Sequence, residues 1–390
     1  MKTSPRVNAI LAGFVLGGLL TACGTVREYL GGTDNTEPPA ELVDFDPELK
    51  IEEVWSRSIG AGVSKFYLKL RPMIAGGRVY AADRKGSVSA YDAENGEQIW
   101  ETDTGIPASG GPGGGEGLIL VGSSDGNVVA LDADTGAEKW RAKVSSEVLS
   151  APSAADGVAV VRTIDGKLYG LDVADGSRIW VYDRTVPVLT LRGTSTPALS
   201  DGAAVAGFDS GRIVAVSLKN GQALWDTVVA EPRGRSELER LVDIDADPVI
   251  EDQTVYVVTF QGRVAALDLF SGNVNWRRDM SSYAGLGIDG GHLYVTDDES
   301  FVWALDRKSS ASVWRQDKLK MRGLTSPLGF ERFVVVADFE GYVHWLSEED
   351  GRMLARARVD SDGVIASPVA HNGTVFIYGK GGTLTALRVR

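Results

Sequence analysis

Cysteine and histidine, the residues that most often carry metal or redox chemistry, are scarce in this sequence of 390 residues. The single cysteine, Cys23, has no second thiol in the chain with which to form a disulfide or a metal-binding pair. The three histidines, His292, His344 and His371, are not spaced like metal ligands. We therefore expect structural or solvated histidines, and neither a resident metal nor a cofactor.

Sequence motifs of common enzymes are also missing. No Gly-x-Ser-x-Gly elbow is present, and the glycine-rich run 110–115 is not followed by the Gly-Lys-Ser/Thr of a phosphate loop. Asp132, Asp134 and Gly136 are spaced like the start of a calcium loop, but the closing glutamate is absent. The sequence predicts that the protein is not an enzyme.

Basic residues are fewer than acidic ones: the chain has 40 lysines and arginines and 53 aspartates and glutamates, which gives a net charge of −13. An acidic chain repels the phosphates of nucleic acids and of anionic lipid surfaces. We therefore expect no nucleic acid among its partners. Any attachment to a membrane has to come from something other than surface charge.

The N-terminus predicts a lipoprotein signal peptide over residues 1–22. Lys2 and Arg6 form a basic start, and the apolar run from Ala9 to Leu20 is too short for an ordinary membrane span. It ends in Leu20-Thr21-Ala22-Cys23, which resembles the bacterial lipobox, whose cysteine becomes the lipidated first residue of the mature chain. The alternative is a free thiol beside an ordinary cleavage site.

The residues that follow Cys23 imply a location and a tether. By resemblance to bacterial lipoproteins, Gly24 in place of an aspartate implies the outer membrane. Residues 23–49 contain Gly31-Gly32, Pro38-Pro39 and several acids, and predict a flexible lipidated tether.

A seventeen-residue pattern, close to [DSK]-x-G-x-[VL]-x-A-[LY]-D-x-x-x-G-x-x-x-W, recurs along the rest of the chain. Five copies are clear and three are degraded. From Trp100 to Trp314, the steps between the tryptophans that end successive repeats are 38 to 51 residues, the length of one four-stranded propeller blade. The clear copies run over 84–100, 124–140, 164–180, 209–225 and 260–276. A degraded copy ends at Trp314 with Ser300 and Ser310 in place of glycines, another ends at Ala355, and the last covers 380–390.

Each repeat predicts four strands, of which the third is the V-x-A-L-D alternation and the fourth carries the tryptophan. The glycines fit tight hairpins that need a positive φ, and the neighbouring aspartates fit turn capping. The tryptophans arrive once per unit, so we expect their rings to pack between neighbouring sheets.

The final repeat supplies only three strands, and the segment Lys50 to Trp55 can supply the fourth. Pairing the two ends would close a ring and leave no open sheet edge. The sequence therefore predicts an all-β protein, an eight-bladed β-propeller over residues 50–390, in which each blade is a four-stranded antiparallel sheet and the N-terminal strand closes the C-terminal blade.

Two consecutive connections between repeats are long, at 17 residues from Trp180 and 23 from Trp225 to the next strand-leading proline, against 12 after Trp100 and Trp140 and 13 after Trp314. Insertions in repeat proteins often map to the binding face. The first, 186–193, offers Leu189 and Leu191 beside Arg192, a combination typical of interface hot spots. The second, 233–248, predicts a helical turn that is followed by the acids Asp243 and Asp245, which we expect the connector to present at the surface. Alternatively, the leucines pack under their own loop and the two acids cap turns.

The repeat is similar to the tryptophan-bearing motif of quinoprotein dehydrogenases, which implies a quinone cofactor as one alternative. Those enzymes often carry an adjacent cysteine pair and sometimes a Cys-x-x-Cys-His haem site, and neither exists here. A quinone-dependent enzyme stays an alternative, as does a general envelope-binding anchor module.

The lipobox, the phased repeat, the start at Trp55-Ser56-x-Ser58-Ile59-Gly60, Leu189-x-Leu191-Arg192-Gly193 and Asp243-x-Asp245 together resemble the BamB family. This family comprises propeller lipoproteins of the outer-membrane β-barrel assembly (BAM) complex. The resemblance covers essentially the whole mature chain. The sequence departs from the family pattern at Ala355, where the repeat has a tryptophan, and in the sixth repeat, which lacks its glycines.

The resemblance implies a non-enzymatic scaffold that is lipid-anchored to the outer membrane and faces the periplasm of a Gram-negative bacterium. Such a scaffold docks on the POTRA domains of BamA and aids delivery of β-barrel precursors, whose unfolded chains are a candidate second partner. By motif, the BamA contact is expected at Leu189, Leu191, Arg192, Asp243 and Asp245.

Overall fold

The computed structural model describes residues 37–390, apart from Val188, Arg192 and Glu237. The predicted signal peptide and Cys23 lie outside the described residues. In chain order the strands are β1 Ile51–Ser58, β2 Met73–Ala75, β3 Arg78–Ala82, β4 Ser87–Asp92, β5 Gln98–Asp103, β6 Ala108–Gly115, β7 Leu118–Ser123, β8 Asn127–Asp132, β9 Glu138–Lys143, β10 Ser153–Ala155, β11 Val158–Arg162, β12 Lys167–Asp172, β13 Arg178–Asp183, β14 Ala198–Ser200, β15 Ala203–Phe208, β16 Arg212–Ser217, β17 Ala223–Val228, β18 Val249–Glu251, β19 Thr254–Val258, β20 Arg263–Asp268, β21 Val274–Asp279, β22 Gly285–Asp289, β23 His292–Thr296, β24 Val302–Asp306, β25 Ser312–Gln316, β26 Leu328–Phe330, β27 Phe333–Ala337, β28 Tyr342–Ser347, β29 Met353–Arg358, β30 Val369–His371, β31 Thr374–Tyr378 and β32 Thr383–Val389. A single turn of 3-10 helix, Leu238–Arg240, precedes β18.

The strands pair in consecutive sets of four, and the first strand joins the last set. From β2 onward, each set is antiparallel and follows chain order, as in β2-β3-β4-β5. One parallel pair, Gly114 with Ser153, joins two of these sets into a larger sheet. The final set contains β30 to β32, and β1 pairs with β32 from Ile51 opposite Val389 to Ser58 opposite Thr383. The predictions of an all-β protein and of four antiparallel strands per repeat are confirmed.

Hydrophobic side chains fill the spaces between neighbouring sheets. Val88 and Trp100 of one sheet share a buried cluster with Ile119 and Val129 of the next, and equivalent clusters lie at the other junctions. Residues from Pro39 onward form one compact unit. Within residues 37–390, no helix has the length and apolar character needed to cross a membrane.

The repeat tryptophans bind each sheet to its neighbour by hydrogen bonds as well as by packing. The indole N–H of Trp100 donates to the carbonyl of Ala133 at 3.0 Å, and that of Trp140 donates to Val173 at 2.8 Å. Each acceptor lies just beyond the third strand of the next sheet. Buried indole N–H groups need such a partner. This carbonyl therefore explains why the tryptophan occupies the same position in each repeat. Equivalent bonds are made by Trp55, Trp180, Trp225, Trp276 and Trp314.

The second glycine of the repeat is required for two reasons. Gly136 has a φ of +72°, which side chains with a Cβ disfavour, and an added Cβ would lie 2.6 Å from Cδ2 of Trp100. The turn at Gly136 therefore provides both the carbonyl that accepts the indole N–H of Trp100 and the space that the indole ring occupies. In the degraded sixth repeat, Ser300 and Ser310 keep positive φ values of +64° and +61°, and β22 to β25 still pair as a sheet.

The structure supplies a reason for the missing tryptophan at Ala355. Elsewhere the acceptor carbonyl lies in the hairpin between the third and fourth strands of the next sheet. In the last sheet these strands are β32 and β1, which come from opposite ends of the sequence and share no hairpin. The N–H groups of Glu48 and Leu49 instead donate to the carbonyl of Leu354, at 2.8 and 3.3 Å. An indole at position 355 would have no equivalent partner.

Part of the predicted flexible tether, residues 23–49, is packed in the structure. The N–H of Ala40 donates to the carbonyl of Lys320 at 2.9 Å, and the guanidinium of Arg352 binds the carboxylate of Glu48. Leu42 and Leu49 pack against hydrophobic clusters of the seventh set of strands. The packed chain therefore begins near residue 39 rather than at residue 50, because its leucines find apolar surface there.

Candidate docking surface

The antiparallel topology places every connection between sheets on one face of the molecule. The chain leaves the fourth strand of a sheet at the same end at which the first strand of the next sheet begins, whereas the hairpin between the third and fourth strands lies at the other end. The predicted connectors 186–193 and 233–248 therefore share this face, which we call the connector face.

The first connector exposes one of its two leucines. Leu189 is 39% exposed. Leu191 is half-buried, and its backbone N–H donates to Oδ2 of Asp243 in the second connector at 2.5 Å. Arg192 lies outside the described residues. The hydrogen bond across the two connectors shows that they lie side by side.

The second connector is exposed over the described residues of 233–240 and passes beneath the surface from Leu241 onward. Glu239 in its 3-10 helix accepts N–H bonds from Arg235 and Ser236, which confirms the predicted helical turn. The following Leu241, Val242 and Ile244 are buried. Apolar residues therefore anchor this segment under the first connector.

The two predicted acids of the second connector are held inward. Asp243 is only 1% exposed, and Asp245 is half-buried with its carboxylate against Gly193, where an added Cβ would lie 2.8 Å from Cγ. The expectation that this connector presents acids to solvent is wrong for Asp243, because the apolar residues on either side of it draw the backbone into the core. Asp243 shapes the first connector through the N–H of Leu191.

A buried arginine lies beneath the connectors. Arg162, at the end of β11, has no exposed surface, and its Nη2 donates to Oδ1 of Asp209 at 3.3 Å. Its guanidinium also lies 4.1 Å from the ring centroid of Phe208. The charges of Asp245, Asp165 and Asp243 also act on Arg162, so one buried cation attracts four carboxylates.

Burial dominates the electrostatics of this cluster. Desolvation raises the pKa of Asp243 to about 7 and that of Asp245 to about 6. Burial also raises the pKa of Asp209 in spite of the opposing charge of Arg162, and it lowers the pKa of Arg162 itself. A carboxylate that loses water without gaining a full ion pair is destabilised in its charged form.

The site residues predicted from the sequence do not include Arg162, although its place in the repeat is unusual. At the equivalent position, just before the polar residue that closes the second strand, other repeats have apolar or small residues, such as Ala82, Val258 and Ala337. An arginine in such a buried strand position indicates a buried partner. Asp209 carries no such signal, because the repeat itself often has an aspartate there.

The two connectors border a cavity of about 770 Å³ at the centre of the connector face, and Leu191 and Asp245 are among its lining residues. Within the described residues, no group of three or more histidines, cysteines or carboxylates is arranged to hold a metal ion. Of the three histidines, His344 is fully buried and bonds to the carboxylate of Asp338 at 3.1 Å, which is a structural contact.

Comparison with known proteins identifies the family. The family model described as "Outer membrane protein assembly factor BamB" matches residues 39–108 and 84–316. A curated protein of that name from Pseudomonas aeruginosa is 51% identical over 353 residues, which cover 90% of this chain and 93% of that protein.

Solved structures show the same β-propeller architecture. The crystal structure of BamB from Moraxella catarrhalis superposes with a TM-score of 0.80 at 26% identity, covering 87% of this chain and 100% of that one. Quinohemoprotein alcohol dehydrogenase from Comamonas testosteroni gives a TM-score of 0.69 over 96% of this chain and 84% of its own, but at 14% identity this likeness concerns the fold alone. The chain belongs to the BamB family of outer membrane protein assembly factors.

Proposed function

We propose that this protein is a non-enzymatic scaffold of the outer-membrane β-barrel assembly machinery, which docks on the POTRA domains of BamA and aids delivery of barrel precursors. The observation that carries the proposal is the exposed Leu189 on a connector that Asp243 holds in place from below. Hot spots of this kind combine an apolar anchor with a preorganised backbone. Membership of the BamB family supports the choice of partner.

The residues of the proposed BamA contact have different tasks. Leu189 and Leu191 insert into the partner, and Arg192 pairs with an acid on it. Asp243 and Asp245 act from beneath, through the N–H of Leu191 and the packing of Gly193.

A lipid on Cys23 attaches the protein to the outer membrane on its periplasmic side in this proposal. The lipobox-like residues 20–23 and the signal-like residues 1–22 support it. Replacing Cys23 with serine should release the protein from the membrane fraction into the soluble periplasmic fraction. Retention of the Cys23→Ser protein in the outer membrane would reject the anchor.

The architecture we propose is a closed ring of eight blades, one for each set of four strands. The pairing of β1 with β32 supports closure, as does the bond from the indole N–H of Trp55 to the carbonyl of Ala93 at 3.1 Å. Trp55 also shares a buried cluster with Phe376 of the last sheet and Val79 of the first.

The docking proposal is tested by titrating purified mature protein against the POTRA domains of BamA from the same bacterium. Leu189→Glu should raise Kd by at least about tenfold, since a charge would replace an apolar anchor. Leu224→Glu is the matched control, because Leu224 is also exposed but lies on the outer strand β17. Equal binding by both variants would remove the assigned site, provided their thermal midpoints match the wild type.

A further inference from the structure

A third enlarged connection lies at the start of the described chain. Pro72 follows Trp55 by 17 residues, the same separation as between Trp180 and Pro197 in the first predicted connector. Within it, the segment Ala61–Arg71, which we call the basic loop, contains three basic residues and no acidic one, in a chain whose net charge is −13. It also contains Phe66 and Tyr67, two large aromatic residues in succession.

The basic loop belongs to the connector face. It follows β1, the outer strand of the last sheet, and precedes β2, the first strand of the next one. Tyr67 lines the same central cavity as Leu191 and Asp245. Arg71 forms an ion pair with Asp247 of the second connector at 3.6 Å. The loop and the two connectors are therefore parts of one continuous surface.

The ends of the basic loop are fixed by the core. Val63 and Leu70 are almost fully buried, and the N–H groups of Val63 and Ser64 both donate to the carbonyl of Lys380, at 3.1 and 3.2 Å. The N–H of Ala61 donates to Oδ2 of Asp83 at 2.7 Å. The backbone that carries the aromatic residues is thus held before any partner arrives.

The apex of the basic loop exposes its aromatic side chains. Phe66 is 55% exposed and Tyr67 is 64% exposed. The guanidinium of Arg84 lies 5.6 Å from the centroid of the Phe66 ring, so a cation also borders the apex. Exposed aromatic residues on a rigid support, surrounded by positive charge, are typical of binding surfaces, because little conformational entropy is lost when they are covered.

We propose that the basic loop is a third part of the docking surface and that Phe66 and Tyr67 enter an apolar depression flanked by carboxylates on the partner that binds Leu189. The inference rests on the proposed docking function and extends it. Continuity with the two connectors favours this protein partner over an anionic lipid surface, which would also attract basic and aromatic residues. The acidic character of the whole chain disfavours the lipid as well.

The experiment titrates the mature protein with the BamA POTRA domains at two ionic strengths. Phe66→Ser and Tyr67→Ser should each raise Kd by about tenfold or more. Lys65→Glu should raise Kd at low salt and weaken its salt dependence, since rim charges act mainly through long-range attraction. Phe270→Ser is the matched control, because Phe270 is 58% exposed but lies in a hairpin between third and fourth strands, on the opposite face.

The outcomes separate this inference from the function on which it rests. If Leu189→Glu abolishes binding while Phe66→Ser and Tyr67→Ser bind like the wild type, docking stands and the basic loop is excluded from it. If the wild type does not bind the POTRA domains, both proposals fail. If the loop variants lose binding only to phosphatidylglycerol vesicles, the loop contacts lipid and the inference is overturned.

Discussion

The backbone N–H of Leu191 donates to Oδ2 of Asp243 at 2.5 Å, although 52 positions separate the two residues in sequence. The acceptor is a carboxylate buried under the loop that it holds. The shape of the first connector therefore depends on a carboxyl group whose charged form the surrounding core disfavours, and this burial has measurable consequences.

The first consequence is a pH dependence of stability. The pKa of Asp243 is about 7 in the folded chain and near its ordinary value of 3.8 in the unfolded chain. Folding therefore takes up a proton at any pH between these two pKa values. The free energy of unfolding should therefore fall, as far as this group is concerned, while the pH rises from about 4 to about 7. Asp245, with a pKa of about 6, acts in the same direction. Urea unfolding measured across this range checks the trend.

The variant Asp243→Asn isolates the contribution of this group. An amide oxygen can still accept the N–H of Leu191, but it does not titrate. The difference in unfolding free energy between the variant and the wild type should grow in favour of the variant as the pH rises. A difference that stays constant with pH would show that Asp243 is not the titrating residue.

Removal of one partner of the ion pair between Arg162 and Asp209 should lower the free energy of unfolding strongly. Arg162→Met removes the cation that pairs with Asp209 and attracts three further carboxylates, and we expect a loss of about 3–5 kcal/mol in unfolding free energy. The double variant Arg162→Met/Asp209→Asn should recover part of that loss, since one uncompensated charge is gone. Additive losses in the two single variants would mean that the residues do not interact.

Trp55 should stabilise the fold as much as a tryptophan within the array does. Trp55→Ala and Trp100→Ala each remove a buried ring and one indole hydrogen bond, at an expected cost of about 3–5 kcal/mol. Urea midpoints compare them. A much smaller effect for Trp55→Ala would contradict the proposal that the N-terminal strand closes the ring.

The converse change at position 355 should not help. Ala355→Trp restores the repeat motif, but the site is buried and no hairpin carbonyl of the next sheet faces it. We expect overpacking to cost about 1–3 kcal/mol, measured as a lower urea midpoint. A stabilised variant would show that the junction can accept the ring after all.

The sequence alone determined the repeating parts of this protein. The strand alternation, the glycines of the turns and the phase of the tryptophans recur at a fixed period, and each repeat builds the same local structure, so the pattern identifies the all-β sheets without knowledge of the whole. The lengths of the connections likewise located the two connectors, because an insertion lengthens one step of an otherwise regular repeat. The same measure applied to Trp55 and Pro72 would also have located the basic loop.

Tertiary structure decided which charged residues are buried and what they hold. Asp243 lies inward, and Arg162 meets Asp209 across 47 positions, because apolar neighbours such as Ile244 and Phe208 draw these backbones into the core. The fit of residues 39–49 against the seventh set of strands depends in the same way on surfaces that exist only after the sheets have assembled. Whether a carboxylate faces water or an amide is settled by the elements that cover it, and those elements are distant in sequence.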